Sequence, residues 1–482
     1  MTFDLTPDQR QQLLNDLLSR LEDYYTHTRD HRVAPDLDPE QVRDAVAQYD
    51  FSRPLPADEA IGAVVDNLLQ HQVHVPHPRY YGLYNPRANF PSILADLIAA
   101  YFNPQLAAWS HSPYAAEVET HLIQEYGKRF GYPGDVIDGT FTTGGAEANL
   151  TGILCALNHR FPDYANRGFR AFGGEPVIYC SDQAHHSVVK AARVVGLGLD
   201  SVVQIPVDEQ LRMEASALKE QLARDRANGK IAVMVIATAG TTGTATLDPL
   251  PEIADVCQQA GVWLHVDAAF GGAAVLHPDY RPLLRGIEVA DSITTDIHKW
   301  LSVPMGTGMF LTRHPDILSK TFRTTAEYMP REGGSLSVVD PYTHTIQWSR
   351  RFLGLRMYLS LLVFGWEGYA ETIRHHVEMG DYLRQQLTAR GWMIAVDTPL
   401  PVVCFTWPGQ ADPGAFARDL CARVVASGEA WISVYPIRGV DVLRACITNY
   451  ATTREDIDAL VGLLDRLRRK LGTSAPPPNF TV

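Results

Sequence analysis

The chain has 482 residues, of which 46% are hydrophobic and 20% charged, a composition typical of soluble globular proteins. Its 55 acidic and 42 basic residues give a formal net charge of −13, which argues against nucleic acid or an anionic membrane as the main partner. No apolar run approaches the roughly 18 residues of a membrane-spanning helix, and no basic-then-apolar signal opens the chain. The six cysteines are scattered without a C-x-x-C pair, so we expect free thiols and a cytoplasmic location.

Helix-start signals open the chain. Thr6 to Gln9 (Thr-Pro-Asp-Gln) combine a cap, a first-turn proline and a capping-box glutamine, and Asp38 to Gln41 (Asp-Pro-Glu-Gln) repeat the signal. A third helix is predicted over residues 57–70. Three short helices form a poor core by themselves, so we interpret residues 1–75 as an arm that packs on a second subunit. A helical cap on the chain's own domain is the alternative.

Three histidines follow this arm at intervals of three residues. His71, His74 and His77 could suggest a metal site, but Pro76 and Pro78 break any helix that would align them. No cysteine or acid completes a ligand set, so no metal is predicted. The next stretch is rich in tyrosine and proline, which is typical either of a pocket wall or of loop packing.

From about residue 115, predicted helices and strands alternate. A strand that begins near Gly139 runs into Gly144-Gly145 and a helical run from Leu150 to Leu157. Such a junction can bind an anion, because free N–H groups and the helix dipole face the ligand. Paired glycines also occur at strand–helix turns for steric reasons only, so this motif alone is moderate evidence.

Polar loops follow the later strands in the same way. Strands are predicted at residues 176–180 and 231–237, and a short buried strand opens each of the stretches 263–270 and 292–300. Polar residues that include His185, Thr242, Asp267 and Lys299 stand at or after the strand ends. A strand over residues 307–312 closes the series. If these strands are parallel, their carboxyl ends meet at one edge of an α/β sheet, where ligands of open sheets bind.

Lys299 and Asp267 are the two groups with the clearest chemistry. Lys299 leaves an apolar strand between His298 and Trp300, and partial burial would make its neutral amine available as a nucleophile. An aspartate at the end of a hydrophobic strand needs a cation or hydrogen-bond donors. Pyridoxal phosphate needs both groups, a lysine for its aldehyde and an acid for its pyridinium nitrogen. Taken alone, each stretch favours a structural Lys–Asp ion pair.

An ordered set of motifs decides between these readings. The motifs are Phe141–Asn149, Ser181–His185, Gly240–Thr242, His265–Ala269 and His298–Trp300. Together they resemble the group II pyridoxal-phosphate decarboxylases, with similarity from about residue 70 to residue 370. The resemblance implies a fold-type I PLP-dependent transferase-like α/β fold, with a mostly parallel central sheet flanked by helices. It also implies a homodimer with an N-terminal helical dimerisation arm (1–75), a large PLP-binding domain (76–375) and a C-terminal α+β small domain (376–482).

The resemblance also implies catalytic roles for four residues. Lys299 would bind the cofactor aldehyde, and Asp267 would pair with the pyridinium nitrogen and keep it protonated. His185 would stack on the cofactor ring near the substrate carboxylate. Tyr328, on a polar segment with the character of a closing lid, would return a proton to the substrate Cα.

Other residues would complete the cofactor site. They are Gly144, Gly145 and Ala146 at the phosphate, Ala269 under the ring, and Thr242 and His298 in the wall. The family often has Ser or Thr where this chain has Ala146, so a hydroxyl contact is either missing or supplied by Thr142 or Thr143. Asp296 stands where the animal enzymes have Asn. An acid at this place would repel the phosphate unless it is protonated or turned away.

The expected reaction is decarboxylation of an L-amino acid to its amine and carbon dioxide. Tyr80, Tyr81, Tyr84 and Trp109 would form an aromatic pocket, which favours an aromatic substrate. Retention of His185 and Tyr328 favours simple decarboxylation over the family's oxidative aldehyde-forming variants. Aliphatic, acidic or diamino acid substrates, transamination, retro-aldol cleavage and a catalytically idle dimer remain alternatives.

Overall fold

The computed structural model describes residues 3–324 and 338–471. The chain divides into two compact units. One comprises Met1–Leu83, Asp381–Ala395 and Val403–Val482, and the other comprises Tyr84–Gly380 and Val396–Val402. We call them the first and the second unit.

The α-helices of the described residues are α1 (Pro7–His27), α2 (Pro39–Ala47), α3 (Ala57–His71), α4 (Phe90–Phe102), α5 (Pro113–Phe130), α6 (Gly145–Arg160), α7 (Tyr164–Arg167), α8 (Ser187–Val194), α9 (Ala215–Ala227), α10 (Leu250–Ala260), α11 (Ile317–Phe322), α12 (Gly354–Ala389), α13 (Pro413–Ser427) and α14 (Arg454–Arg468). The strands are β1 (Asp138–Thr142), β2 (Glu175–Ser181), β3 (Val202–Ile205), β4 (Lys230–Thr238), β5 (Trp263–Asp267), β6 (Ser292–Asp296), β7 (Gly308–Thr312), β8 (Met393–Ile394), β9 (Val402–Thr406), β10 (Ser433–Ile437) and β11 (Val440–Cys446).

The three N-terminal helices begin where the sequence predicts them. At α1 the Thr6 side chain accepts from the Gln9 N–H and the Gln9 side chain accepts from the Thr6 N–H, so the predicted capping box is present. At α2 the Asp38 side chain accepts from the Glu40 N–H. None of the residues of α1, α2 or α3 is buried. These helices therefore contribute little to the core of the first unit.

The rest of the first unit mixes strands and helices, as predicted for the C-terminal region. Its sheet has the order β10-β11-β9-β8, with antiparallel pairing between β10 and β11 and between β8 and β9. Helices α13 and α14 pack on each other, and α13 also packs on β11. Arg29 donates to both oxygens of the buried Asp456 carboxylate, at 2.7 and 2.9 Å, which joins the segment after α1 to α14.

The second unit is built on a seven-stranded sheet of order β1-β7-β6-β5-β4-β2-β3. The pairs β3/β2, β2/β4, β4/β5 and β5/β6 are all parallel, which confirms the predicted mostly parallel α/β sheet. Strand β7 is antiparallel to both of its neighbours, β6 and β1. Parallel neighbours need a crossover connection, usually a helix, and the described residues 297–307 contain none. The strand expected to close the parallel series therefore runs in the opposite direction.

Helices cover this sheet and bury its strands. Helix α6 packs against β4, β5, β6 and β7 and against helices α8 and α11. Its residues Ile153, Cys155 and Leu157 are fully buried in one hydrophobic cluster with residues of β2 and β4. Burial of this kind is typical of parallel strands, which read as continuous apolar runs rather than alternating ones.

Helix α12 contains one non-helical residue, Gly365, with φ 62° and ψ −176°. It separates the two helical stretches that the sequence predicts, residues 355–365 and 368–390.

No helix among the described residues is both long and apolar enough to cross a membrane. All six cysteines are buried and have free thiols.

Candidate active site

A cleft lies at the carboxyl edge of the central sheet, within the second unit. It is lined by Tyr84, Gly145, Ala146, Asn149, His185, Thr238, Gly240, Thr242, Asp267, Ala269, Phe270, Asp296 and Lys299. Most of these residues follow the ends of parallel strands, where the sequence predicted convergence.

Lys299 forms its ion pair with Asp296. Its Nζ atom lies 2.9 Å from Asp296 Oδ2 and 5.8 Å from the centroid of the Tyr84 ring. The lysine side chain is 21% exposed and the aspartate side chain only 2%. The cation in the cleft is therefore held by the acid that ends β6, and Asp267 has other partners.

Asp267 ends β5 and is held by two N–H donors. Asn149 Nδ2 donates to its Oδ2 atom at 2.8 Å, and the Ala269 N–H donates to its Oδ1 atom at 3.1 Å. Asn149 is 1% exposed and reaches the strand from α6, one turn after Gly145. Asn149 is a functional residue that the sequence did not indicate. The feature that could have identified it is a polar side chain on the face of α6 that packs on the sheet.

Small residues leave backbone exposed at the amino end of α6. Gly144 caps the helix with φ +152°. A Cβ atom on Gly145 would lie 3.0 Å from Asp296 Oδ2, and one on Gly308 would lie 2.7 Å from Thr142 Oγ1. Larger residues at these positions would fill the space that an anion needs to approach the first N–H groups of the helix.

Asp296 itself lies at this helix end. Its Oδ1 atom is buried and has no hydrogen-bond partner among the described residues, and its Oδ2 atom faces Lys299. The carboxylate is therefore not turned away from the anion site. The two threonines that could replace a hydroxyl of residue 146 have other acceptors: Thr142 Oγ1 donates to the Gly144 carbonyl at 3.2 Å, and Thr143 Oγ1 donates to Glu147 at 2.7 Å.

His185 lines the cleft, whereas His298, which precedes Lys299 in the chain, is not among the described residues that line it. His185 Nδ1 lies 2.8 Å from Ser187 Oγ and accepts the Ser187 N–H at 3.2 Å, so the proton of the neutral ring is on Nε2. Desolvation lowers the pKa of His185, and the charge of Asp267 opposes this shift. Burial likewise lowers the pKa of His298, whose Nδ1 atom contacts the backbone of Thr307. Both imidazoles are therefore neutral at neutral pH.

An aromatic wall closes one side of the cleft. The Tyr84 hydroxyl donates to the Thr242 carbonyl at 3.0 Å, and its ring lies 4.2 Å from that of Phe270. Phe270 in turn stacks on Trp300, with 4.9 Å between ring centroids. Tyr84 is one of the residues predicted for the aromatic pocket, whereas Phe270 was not predicted.

The other predicted substrate residues are not among the described residues named above for the cleft. Tyr80 and Tyr81 belong to the first unit, where Tyr80 packs on Trp431 and Tyr81 is fully buried. Trp109 is not among the described residues that line the cleft, and its indole N–H is donated to Glu117 at 2.8 Å. Tyr328 lies outside the described residues. The roles of these residues stay predictions.

Comparisons with known proteins agree on the family. The model of the pyridoxal-dependent decarboxylase conserved domain matches residues 39–407. An aromatic-L-amino-acid decarboxylase from Bacillus atrophaeus is 29% identical over 98% of this chain and 98% of its own. An L-2,4-diaminobutyrate decarboxylase from Acinetobacter baumannii is 28% identical over 87% of this chain and 86% of its own. The crystal structure of mouse CSAD matches with a TM-score of 0.90 and 26% identity, over 96% of this chain and 99% of that one.

Proposed function

The chain belongs to the family of pyridoxal-dependent decarboxylases, and from this premise we propose that it converts an aromatic L-amino acid into its amine and carbon dioxide. The enzyme is a carboxy-lyase, and its cofactor is pyridoxal 5′-phosphate. The observation that carries the proposal is the cleft in which Lys299, Asp267 and His185 meet beside an aromatic wall.

The residues of the cleft fit this cofactor. The amino end of α6, with Gly144, Gly145 and Ala146, offers N–H groups to the phosphate, because the first N–H groups of a helix have no partner within it. Ala269 and His185 would contact the two faces of the ring, and Thr242 and His298 would complete the wall. The buried Thr238 Oγ1 has no hydrogen-bond partner among the described residues, so a polar group is still available to a ligand.

The catalytic residues then have distinct roles. When bound, the cofactor accepts the electron pair released as the bond between Cα and the carboxylate breaks. Lys299 would hold the cofactor at its aldehyde carbon through its Nζ atom, which lies in the cleft. Asp267 keeps a proton on the ring nitrogen, since its carboxylate is already fixed by Asn149 and the Ala269 N–H. His185 offers its Nε2 proton to the substrate carboxylate, and Tyr328 delivers the proton that replaces the carboxylate at Cα.

The aromatic wall supports the choice of substrate. Tyr84, Phe270 and Trp300 form a continuous stack that begins in the cleft, and aromatic side chains pack favourably on such surfaces. A diamino acid would need a carboxylate for its second amine. The carboxylates among the described lining residues are Asp267, which Asn149 and the Ala269 N–H hold, and Asp296, which faces Lys299 and lies at the helix end proposed for the phosphate. The wall therefore favours an aromatic over a cationic side chain.

A substrate panel tests the proposal. The purified protein with pyridoxal phosphate is incubated with L-Phe, L-Tyr, L-Trp, L-His, L-Glu and L-2,4-diaminobutyrate, and carbon dioxide, amine, aldehyde, peroxide and keto acid are measured. We expect equal amounts of amine and carbon dioxide and the highest kcat/KM for an aromatic acid. A preference for diaminobutyrate or glutamate would overturn the substrate assignment. Keto acid without carbon dioxide would overturn the reaction itself.

We further propose a cytoplasmic homodimer. Helix α4 exposes one apolar side chain after another, up to Tyr101 at 69% and Phe102 at 83% exposure, and Leu362 to Phe364 of α12 are also exposed. Exposed apolar side chains that form one contiguous patch mark association sites. The unburied helices α1, α2 and α3 support the interpretation of residues 1–75 as a dimerisation arm. Light scattering should give twice the chain mass.

A further inference from the structure

A continuous chain of hydrogen bonds runs through the core behind the cleft and ends at Asp267 and His185. Its members are Trp263, Ser292, His265, Asn149 and Ser187, which we call the relay. We propose that the relay is a positioning device that fixes the orientation of the Asp267 carboxylate and, together with the Ser187 backbone N–H, the tautomer of His185. The inference rests on the proposed function, because it assumes the roles given above to Asp267 and His185.

The direction of every bond follows from its two ends. The Trp263 indole can only donate, and its Nε1 atom lies 2.8 Å from Ser292 Oγ. The Ser292 hydroxyl can then donate its own proton to His265 Nδ1, also at 2.8 Å, and Thr294 Oγ1 lies 3.2 Å from His265 Nε2 as a second partner of that atom. Burial lowers the pKa of His265 to about 4, so the ring is neutral at neutral pH and carries one proton, on Nε2. That proton faces Asn149 Oδ1 at 3.1 Å.

The Asp267 end of the relay requires the same directions for these hydrogen bonds. An ionised Asp267 can only accept, so the Asn149 atom that faces it must be the amide nitrogen, and the amide oxygen must face His265. The same nitrogen lies 2.9 Å from Ser187 Oγ. Ser187 accepts there and donates its own proton to His185 Nδ1 at 2.8 Å. His185 consequently presents an N–H, not a lone pair, at Nε2.

The fold makes this chain rigid. Trp263 and His265 lie on β5, Ser292 begins β6 opposite His265, Asn149 lies on α6, and Ser187 begins α8. All five side chains belong to residues that are no more than 4% exposed. A polar chain buried this deeply costs free energy unless every group is paired. The plain alternative is that these groups only satisfy one another within the core.

Two substitutions at His265 separate these readings. In His265→Gln the amide nitrogen can take the place of Nε2 and still donate to Asn149. In His265→Met the volume is similar but no donor remains, so the Asn149 amide can rotate and release Asp267 and Ser187. The proteins are compared after loading with pyridoxal phosphate, at equal cofactor content, by visible absorbance and circular dichroism of the bound cofactor and by kcat and KM.

We expect His265→Met to shift the cofactor spectrum and to lower kcat by about 10- to 100-fold, the effect of losing one hydrogen bond to a charged group, with little change in KM. His265→Gln should keep the wild-type spectrum and most of the kcat. A wild-type spectrum and kcat in His265→Met would overturn the proposal. An equal loss of kcat in both variants, without a spectral change, would also overturn it, because packing alone would then explain the loss.

Three further variants make the test independent of whether His265→Met folds and of the proposed function. If His265→Met does not fold, Ser292→Ala removes the hydroxyl that donates to His265 and should shift the spectrum in the same direction, whereas Ser292→Thr should not. An unchanged spectrum in Ser292→Ala would contradict the relay. Asp267→Ala reports on the proposed function separately. If it leaves spectrum and decarboxylation unchanged, the role of Asp267 fails, and if it abolishes them while His265→Met has no effect, only the relay fails.

Discussion

Replacing Asp296 by asparagine should tighten cofactor binding, and more so at high pH. The Asp296 carboxylate is 4% exposed, lies at the amino end of α6, and has one oxygen without a hydrogen-bond partner among the described residues. We propose that the cofactor phosphate binds at the same helix end. Above about pH 6 a phosphate monoester carries close to two negative charges, so the two groups repel each other.

The size of the effect follows from Coulomb's law. Two unit charges about 5 Å apart interact by about 3 kcal/mol at an effective dielectric constant of about 20, which is a factor of about 100 in an equilibrium constant. Lys299, 2.9 Å from Asp296, offsets part of this repulsion. We therefore expect Asp296→Asn to lower the Kd of pyridoxal phosphate by about 10- to 100-fold at pH 8.5. The gain should be smaller at pH 6.5, where partial protonation of the phosphate lowers its negative charge and weakens the repulsion.

The assay is a titration of the apoprotein with pyridoxal phosphate, followed by tryptophan fluorescence at both pH values. Asp291→Asn is the matched control, because it makes the same charge change just before β6 begins, whereas Asp296 ends that strand. Its Kd should equal that of the wild type. Weaker binding in Asp296→Asn at both pH values would refute the reasoning, because the carboxylate would then help to hold the cofactor.

Three further predictions concern single side chains. Lys299→Ala should abolish the visible absorbance of the covalently bound cofactor, and a variant that keeps this absorbance would contradict the anchoring role. Tyr328→Phe should reduce amine release and raise aldehyde, ammonia and peroxide; unchanged products would show that another group protonates Cα. His376 accepts the Trp300 indole N–H at 2.9 Å, and burial lowers its pKa to about 3. An unfolded histidine binds a proton near pH 6.5, so the free energy of unfolding decreases as the pH falls from 6.5 to about 3. His376→Asn should make this decrease smaller, by about 1.4 kcal/mol per pH unit in urea titrations.

The sheet and the cleft of the second unit could be predicted from the sequence, because the polar residues of the cleft come directly after apolar strands in the chain. Runs of apolar residues that end in Asp267 or shortly before Lys299 mark the carboxyl edge of a parallel sheet, and the paired glycines mark the helix end beside it. These local patterns place the cleft. The direction of β7 is not local information, because it depends on a connection without a helix between β6 and β7.

The features that could not be predicted from the sequence are contacts between residues far apart in the chain. Asn149 and His265 are 116 residues apart, and nothing in either motif indicates that they share a hydrogen bond. The stack of Tyr84 on Phe270 likewise joins a loop to the end of β5. The position of Asp296 was left open because it depends on how β6 meets α6. Tertiary packing decides each of these contacts.

The most direct test of the central claim uses an aromatic L-amino acid labelled at its carboxyl carbon. The enzyme loaded with pyridoxal phosphate is incubated with this substrate, and labelled carbon dioxide and amine are measured together, with Lys299→Ala as the blank. We expect one molecule of carbon dioxide for each molecule of amine, and neither product from the Lys299→Ala variant. Labelled keto acid in place of carbon dioxide, or equal turnover by the variant, would contradict this expectation.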